Sequence, residues 1–533
     1  FSRSVDASTI VNGALRVREN GSVRTQTGAS ATGKNASWST TFAPTGGGPA
    51  NVELTLSTAI RDRWGRAIDG NGDGYAGGTF ERAHHWSPSL LVGQASVDLT
   101  TYPLMAGLPA PSGYGYCPAG IDTTFPRGNP PHARVLVLAG GAACNANLDC
   151  RTGQSCIASV CRDPDGTDAD DPLVIVSVDQ VGFNPGRVRD LVAARTGIRR
   201  ERILIAATHA HWTVRNLKLF TSPYEDDRYA NDGILPYQSW IEDRIADTVA
   251  EAAHGMLPAE IDAASGILPL GYNRRGSSIA ADHETRVVRF RVAGGRVRAA
   301  LVNHALHPVS INSGNGLDAD FPGYMAQDFE ALNCPTGGCT ALFLNGGAGD
   351  IDPIAYTLAQ SLSAGAQLAN LALIAPASYE STDGMQIAVE REIRSFGQGI
   401  TSCHTCGTEP PRNDGLPMTW DLEATAARIG VPGAASPALV FGTLPGEPFT
   451  QLQRRLRTNS ISALLFGYTD GYMGYLPDDS AFGDGHGLYG VAPCADAVGS
   501  YQYGPSYFDN ATHTPGERLV DDLLDAINSR LGN

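Results

Sequence analysis

The order of apolar and polar positions divides the chain into two parts. Up to about residue 86, apolar positions alternate with polar ones, as at residues 14–18 and 52–56, and Gly, Asn and Thr separate these runs. Alternation with a period of two predicts half-buried strands joined by turns. We therefore expect residues 1–86 to form a small all-β module.

From residue 87 onwards, short apolar runs alternate with amphipathic stretches. Strand-like runs and helix-like stretches follow one another at residues 134–140, 173–178, 185–196, 203–207 and 238–254. This alternation predicts an α/β domain over residues 87–533, with mixed β-sheets flanked by helices. A last helix over residues 515–531 is expected to close it.

The ten cysteines of the chain lie in local clusters. They are Cys144, Cys150, Cys156 and Cys161; Cys334 with Cys339; Cys403 with Cys406; and the remaining Cys117 and Cys494. An even count at short spacings favours disulfides, and the absence of His from the first cluster favours a stapled loop over a zinc knuckle. This cluster lies in a Gly- and Asp-rich insertion at about 140–171. The predicted compartment is oxidising, so we expect a secreted, periplasmic or cell-surface protein.

Charge and hydropathy exclude two classes of protein. The formal charge of −16 opposes binding to nucleic acid. No apolar run is long enough to span a bilayer, so a transmembrane segment is not expected, whereas peripheral membrane contact stays open. No charged-then-apolar signal segment begins the sequence, and we expect any export signal to have been removed.

The end of the first module has a spacing typical of calcium-binding loops. Asp69, Asn71 and Asp73 alternate and are followed by Gly74, so their oxygens could converge on a hard cation. An ion-free, Gly-rich hairpin explains the same residues equally well, because the distal Glu of an EF-hand is absent. The surrounding segment resembles the closing part of bacterial Ig-like sandwich modules. Since residues 1–9 resemble an early part of such a module, its first strand is expected to be missing.

Candidate metal ligands follow three apolar runs of the second domain. His209 and His211 follow the run at 203–207, His307 ends a second run, and Glu447 follows a third. Strand ends are where α/β sheets commonly place ligands, and alternation along an extended chain would put both histidines of the His-x-His pair on one face. Such a pair taken alone is more often ordinary structure. Three converging strand ends, however, can hold a divalent ion with an open position for water.

Five segments in the same order resemble those of the neutral and alkaline ceramidases. They are Ala207-Thr-His209-Ala-His211, His307-Pro-Val-Ser-Ile-Asn312, Gly349-Asp350-Ile351, Leu444-Pro-Gly-Glu447, and the segment from Gly467 through Tyr472 to Tyr475. The resemblance covers residues from about 90 to 528 and does not include the C-terminal β-sandwich of that family. It implies an amide hydrolase acting on an N-acyl, ceramide-like lipid.

The resemblance also implies roles for individual residues. It implies a zinc ion bound by His209, His307, Glu447 and Tyr475, with His211 as a proton carrier or oxyanion contact. Tyr475 would also help to stabilise the oxyanion. Arg274 lies where the family has an Asn-Arg pair and is a candidate for positioning the substrate, although a solvated arginine is nearly as good an interpretation.

One position departs from the family pattern. Asp352 follows Gly349-Asp350-Ile351, where ceramidases have a serine that contacts the reacting part of the substrate. An ionised carboxylate only accepts hydrogen bonds and repels anions, so we expect the substrate group at this position to be neutral or cationic. The leading hypothesis is zinc-dependent amide hydrolysis. The alternatives are an esterase or other amidase on the same scaffold, and an inactive surface binding protein.

Overall fold

A computed structural model describes the greater part of the chain. The described residues are 6–11, 14–19, 22–23, 26–32, 35–40, 50–56, 59–61, 65–67, 80–86, 90–103, 129–140, 155–157, 160–162, 171–214, 234–275, 279–292, 295–311, 316–375, 378–380, 385–397, 419–430, 439–460, 462–472, 474–482 and 514–531. Within them the chain divides into two compact units. The first comprises residues 1–88 with 292–295, and the second comprises residues 89–291 and 296–533.

The first unit is built from antiparallel strands. Its strands are β1 (Leu15–Glu19), β2 (Ser22–Val23), β3 (Gln26–Thr32), β4 (Asn35–Thr40), β5 (Ala50–Leu56) and β6 (Phe80–Trp86). A four-stranded sheet has the order β2-β1-β5-β6, and β3 pairs with β4. These strands agree with the predicted alternation. The Ig-like assignment of residues 1–86 stays a prediction, and Asp69, Asn71 and Asp73 lie outside the described residues.

The second unit contains the remaining described strands and helices. Its strands are β7 (Leu90–Asp98), β8 (His132–Gly140), β9 (Ser155–Ile157), β10 (Val160–Arg162), β11 (Leu173–Val178), β12 (Ile203–Ala207), β13 (Leu257–Pro258), β14 (Glu260–Ile267), β15 (Gly271–Asn273), β16 (Glu284–Arg291), β17 (Val297–His304), β18 (Thr340–Asn345), β19 (Ile351–Pro353), β20 (Ser378–Glu380), β21 (Gln386–Gly397), β22 (Thr419–Gly430), β23 (Leu439–Thr443), β24 (Glu447–Pro448), β25 (Leu464–Phe466) and β26 (Tyr475–Leu476). Its α-helices are α1 (Gly186–Thr196), α2 (Ile234–His254), α3 (Asp320–Asn333), α4 (Leu358–Ile374), α5 (Thr450–Thr458) and α6 (Pro515–Asp525), and a π-helical turn at Ala526–Arg530 follows α6. The α/β class expected from the alternating pattern is confirmed.

Three larger sheets organise this unit. Sheet A has the order β12-β11-β8-β7-β13, sheet B the order β18-β17-β16-β14-β20, and sheet C the order β21-β22-β23-β25. Each combines antiparallel pairs with one parallel pair, which is β11 with β12, β17 with β18, and β23 with β25. All three sheets are therefore mixed.

Helices cover the sheets because each buries an apolar stripe. Ile241 and Ile245 of α2 join Val135 and Val137 of β8 in one core cluster of sheet A. Helices α3 and α4 cover sheet B, where the rings of Phe321 and Phe343 meet edge to face at 5.1 Å. Sheets A and B contact each other where the Ser177 hydroxyl donates to the Phe343 carbonyl at 2.7 Å. The result is a layered arrangement of helices, two sheets and helices.

Local signals explain where several helices begin and end. Thr357 caps α4 by accepting a hydrogen bond from the Gln360 amide at 3.1 Å. Thr514 does the same for α6, where Pro515 occupies the first turn. Helix α1 ends at Gly197, whose φ of 73° is a conformation that glycine adopts without strain.

Four of the ten cysteines lie among the described residues. Cys334 and Cys339 form a disulfide between α3 and β18, as their spacing predicts. In the insertion, Cys156 and Cys161 are register partners in the β9–β10 hairpin. The remaining cysteines lie outside the described residues.

A buried arginine joins sheet B to the end of α4. Arg289 of β16 is 1% exposed and pairs with Asp262 of β14, while its other nitrogens donate to the carbonyls of Ala372 (3.2 Å) and Ala375 (3.0 Å). It thereby satisfies carbonyls that the end of a helix would otherwise leave without partners.

Replacing this arginine should destabilise the second unit. We expect Arg289→Met to lower the free energy of unfolding by about 3 kcal/mol, because a buried carboxylate loses a partner and two carbonyls lose donors. Urea unfolding followed by circular dichroism measures the change. Arg286→Met, on the same strand but at a partly exposed ion pair, is the matched control and should cost less than about 1 kcal/mol. Equal losses in the two variants would contradict the role given to Arg289.

Candidate metal centre

The predicted metal-ligating residues follow strands of the three parallel pairs. His209 comes two residues after β12, His307 three residues after β17, and Glu447 begins β24 four residues after β23. The carboxyl ends of parallel strands are where open α/β sheets place their ligands. Tyr475 of β26 is the register partner of Glu447 in the parallel β24–β26 pair. The structure thus brings loops from three sheets together.

The backbone at His209 departs from the sequence prediction. The sequence predicts that His209 and His211 alternate along an extended chain, but β12 ends at Ala207 and His209 has a φ of 70°. This left-handed conformation is uncommon for a residue with a β-carbon and is concentrated at functional sites. The turn sets the two imidazole rings edge to face at 4.6 Å, with their Nε2 atoms 3.0 Å apart. The pair therefore shares one site, although not through strand alternation.

Backbone carbonyls set the orientation of two buried imidazoles. His209 Nδ1 lies 2.7 Å from the Val181 carbonyl oxygen, and His307 Nδ1 lies 2.9 Å from the Ala348 carbonyl oxygen. A carbonyl oxygen only accepts hydrogen bonds, so each Nδ1 must carry the proton. In the neutral ring each Nε2 then presents a lone pair, and these two atoms are 2.9 Å apart. Two lone pairs at this distance repel unless a positive charge lies between them.

Glu447 adds a third acceptor to the same place. Its Oε2 atom lies 3.3 Å from Nε2 of both His209 and His307, is buried, and has no hydrogen-bond donor among the described residues. Burial would raise the pKa of Glu447, but its contacts with His209 and His307 hold it well below its usual range. Burial also lowers the pKa of His209, which disfavours charge on that ring. The cluster therefore calls for a bound cation.

The donor set fits zinc. Two neutral imidazole nitrogens and one carboxylate oxygen form a common protein ligand set of catalytic zinc sites. His211 extends the group, since ligand atoms of His209, His211 and His307 all lie within 4.8 Å of one another. Carbonyls that fix the far nitrogen of a ligating histidine are the usual outer support of such a site. These residues could hold a metal ion.

Two tyrosines support the cluster, and sequence reasoning gave neither of them a role. The Tyr472 hydroxyl donates a short hydrogen bond to Glu447 Oε1, and the Tyr468 ring lies 4.4 Å from the His209 ring. Burial, together with the Glu447 charge, raises the pKa of both phenols, so they stay protonated. Tyr472 lies in the Gly467–Tyr475 segment, for which the resemblance implies a ligand role for Tyr475 only.

Tyr475 is joined to Arg274. Nη2 of Arg274 lies 2.8 Å from the Tyr475 hydroxyl oxygen and donates to it, and also donates to the Gly349 carbonyl. Burial would lower the pKa of Arg274, but Tyr475 and the Asp352 carboxylate hold it well above its usual value. The guanidinium is therefore a fixed positive charge beside Tyr475. This placement differs from the solvated arginine that the sequence left open.

Asp352 contacts the other terminal nitrogen of Arg274. Its Oδ1 atom is 3.4 Å from Arg274 Nη1, and its Oδ2 atom accepts a hydrogen bond from the Tyr356 hydroxyl at 2.9 Å. Asp352 is the register partner of Tyr272 in the β15–β19 pair. The Asp352 carboxylate, at the position of the family serine, therefore links Arg274 and Tyr475 on one side to Tyr356 and Tyr272 on the other.

The Gly349-Asp350 segment is structural support. A methyl group at Gly349 would lie 2.5 Å from the Glu447 carbonyl oxygen, so only glycine allows this approach. The Asp350 carboxylate accepts 2.8 Å hydrogen bonds from the Thr450 amide and the Asn273 side chain. It ties the loops of Glu447 and Arg274 together.

Solved structures share the architecture described above. A crystal structure of the neutral ceramidase from Pseudomonas aeruginosa matches with a TM-score of 0.56 at 16% sequence identity, over 84% of this chain and 76% of that chain. A ceramidase complexed with C2 matches with the same values. The chain has the neutral ceramidase fold. No family model matches the sequence, and no curated protein matches it.

The neutral ceramidase fold confirms the resemblance that the ordered segments indicate. The segments lie in order along the second unit, and the structure brings His209, His211, His307 and Glu447 from three of them together. The zinc ligand set, the catalytic roles and the calcium ion stay predictions.

Zinc binding by the candidate centre can be measured directly. We expect the wild-type protein to bind one zinc ion per chain, and His307→Ala to weaken binding by more than the ~10–100-fold that loss of an outer partner costs. Equilibrium titration and elemental analysis provide the measurement. His254→Ala, which removes an exposed imidazole at the end of α2, is the control and should bind as the wild type does. Unchanged zinc affinity in His307→Ala would contradict this site.

The hydrogen bond from Tyr472 should strengthen the centre. Tyr472→Phe keeps the ring and removes the donor to Glu447, and we expect zinc affinity to fall ~10-fold or more. Tyr468→Phe is matched to it, because the Tyr468 hydroxyl is also buried but has no hydrogen-bond partner among the described residues. Competition with a zinc chelator measures both variants, and equal affinities would refute a supporting role for Tyr472.

Proposed function

We propose that this protein is a zinc-dependent hydrolase that cleaves the amide bond of an N-acyl, ceramide-like lipid with water. The proposal is supported chiefly by the two Nε2 lone pairs of His209 and His307, which face each other beside the Glu447 carboxylate. The neutral ceramidase fold supports the same interpretation. The metal site alone does not determine a substrate. The substrate class is therefore proposed from the resemblance to the ceramidases.

The chain would supply the ligands and the charges. His209, His307 and Glu447 would hold the ion, and Tyr475 would complete the set as the resemblance implies. Zinc bound there would bring the pKa of its water towards neutrality and polarise the amide carbonyl. Burial of the ligands keeps bulk water from competing for these charges.

His211 is the candidate proton carrier. It is less buried than His209, and its Nε2 atom lies beside the predicted position of the ion. It would take a proton from the attacking water and deliver it to the leaving nitrogen as the carbon–nitrogen bond breaks.

Arg274 and Tyr475 are the candidates for stabilising the carbonyl oxygen. Negative charge develops on that oxygen as water adds, and a fixed guanidinium with a phenol beside it lowers the energy of this state. Asp352 keeps the Arg274 side chain in place through their 3.4 Å contact.

A second candidate is an esterase or another amidase on the same scaffold. Asp352 favours it, since a carboxylate replaces a hydroxyl that ceramidases direct at the substrate. The substrate group that meets Asp352 should carry a donor, such as a hydroxyl or an ammonium. Location in a secreted, periplasmic or cell-surface compartment stays part of the proposal, and the Cys334–Cys339 disulfide supports it.

Turnover by the zinc-loaded protein tests the proposal. We expect release of fatty acid from a short-chain ceramide or a related N-acyl amino alcohol, and a fall in kcat of ~10²–10⁴-fold in His211→Gln with zinc retained. Mass spectrometry of products and elemental analysis measure the two quantities, and His254→Ala is again the control. If His211→Gln loses zinc with its activity, His211 is a ligand instead. Hydrolysis of esters alone would favour the second candidate, and no turnover of any substrate in a panel of amides and esters would overturn both.

A further inference from the structure

An exposed apolar surface borders the candidate centre. It comprises five large side chains from β15, the segment after β19 and the first turns of α4. They are Ile354 (59% exposed), Leu358 (46%), Leu362 (45%), Tyr272 (44%) and Tyr356 (37%), and we call them the α4 face. Single exposed apolar residues are ordinary, but a group of this size marks a surface that contacts a partner.

The α4 face lacks charge. From residue 353 to residue 379 the sequence contains no Asp, Glu, Lys, Arg or His, although the chain as a whole has a net charge of −16. The other exposed positions of α4 include Ala359, Ser363, Gln367 and Asn370, which are also uncharged. A solvated helix normally presents charged side chains on its outer side. An uncharged outer side suits contact with a partner that is itself uncharged and apolar.

Contacts link this surface to the candidate centre. The Tyr356 hydroxyl donates to Asp352, Asp352 contacts Arg274, and Arg274 donates to Tyr475, the register partner of Glu447. The α4 face thus begins a few side chains from the predicted metal ligands.

The direction of α4 places its first turns, which carry part of the α4 face, beside the start of α3. The Ser361 hydroxyl donates to Asp320 at the start of α3. Gly365, one turn further along α4, packs against Tyr324, one turn further along α3, so the two helices run in the same direction. Leu358 and Leu362 are four residues apart on the first turns of α4, and therefore project from the same side of the helix.

We infer that the α4 face docks the protein on the surface of an uncharged or zwitterionic lipid aggregate, from which the substrate enters the centre. This inference rests on the proposed lipid amide hydrolysis, because such a substrate is held in aggregates and must leave them to react. None of the described helices is long and apolar enough to cross a membrane. Docking would use side chains that enter the interface: Leu, Ile and Tyr gain from burial there, while no charged group of this segment has to be desolvated.

Binding to vesicles tests the inference without any need for turnover. The zinc-loaded wild-type protein should float with phosphatidylcholine vesicles, and the double variant Leu358→Ser/Leu362→Ser should lose about tenfold or more in partition coefficient. Leu332→Ser/Ile393→Ser is the matched control, because Leu332 is 67% and Ile393 57% exposed at other places on the second unit. It should float as the wild type does. Replacing a third of the phosphatidylcholine with phosphatidylglycerol should weaken binding of the wild type, since the chain is acidic.

Two further measurements separate lipid docking from its alternatives. Turnover of a water-soluble short-chain amide should be the same in the Leu358→Ser/Leu362→Ser variant and the wild type, while turnover of a long-chain analogue embedded in vesicles should fall about tenfold. Loss of both activities would show that these leucines belong to the substrate pocket and would overturn docking. Light scattering that shows a wild-type dimer dissociated by the double variant would assign the face to a second copy of this chain.

The inference and the proposed function can fail separately. Vesicle binding that depends on the α4 face supports docking even if no amide is hydrolysed, and then only the proposed function fails. Hydrolysis without vesicle binding, or equal binding by the double variant and its matched control, overturns docking and leaves the proposed function in place.

Discussion

The site depends on two hydrogen bonds from imidazole rings to backbone carbonyls. Val181 and Ala348 hold the Nδ1 protons of His209 and His307, and this forces both Nε2 lone pairs into the space that Glu447 also faces. Three acceptors in a buried space repel one another, so the arrangement makes physical sense with a cation among them. The carbonyls belong to loops after β11 and β18, which means that backbone geometry, more than side-chain choice, defines the centre.

Buried ion pairs hold the segment after β25 against neighbouring elements. The Asp470 carboxylate accepts a hydrogen bond from the Ile205 amide at 2.8 Å and pairs with Arg189 at 3.0 Å, while Arg189 also binds Glu423 of sheet C. This network fastens the segment containing Tyr468 and Tyr472 to β12. Tyr468 and Asp470 both have positive φ values, and strain of this kind persists where the surroundings over-determine the backbone. The strained turn and its buried ion pairs therefore form one supporting unit for Glu447 and His209.

The sequence predicted strands better than it predicted the geometry of the site. The bounds of β11 and β12 agree with prediction to the residue, because both are almost entirely apolar runs between polar segments. The left-handed turn at His209 could not be predicted, since nothing in Ala207-Thr-His209 distinguishes it from an extended chain. The contact of Tyr472 with Glu447 was equally hidden: Tyr472 and Tyr475 share one segment, and the turn at Tyr468 and Asp470 decides which hydroxyl reaches the carboxylate.

The candidate ligands of the centre follow strands of three different sheets, and this links metal binding to the stability of the fold. A cation held by His209, His307 and Glu447 would act as a cross-link between elements that are distant in sequence. Binding of the ion would then stabilise the folded state. A ligand present at 100 times its dissociation constant adds ~2.7 kcal/mol to the stability of the state that binds it. The ion proposed for catalysis would therefore also favour, by mass action, the state in which the three sheets are assembled.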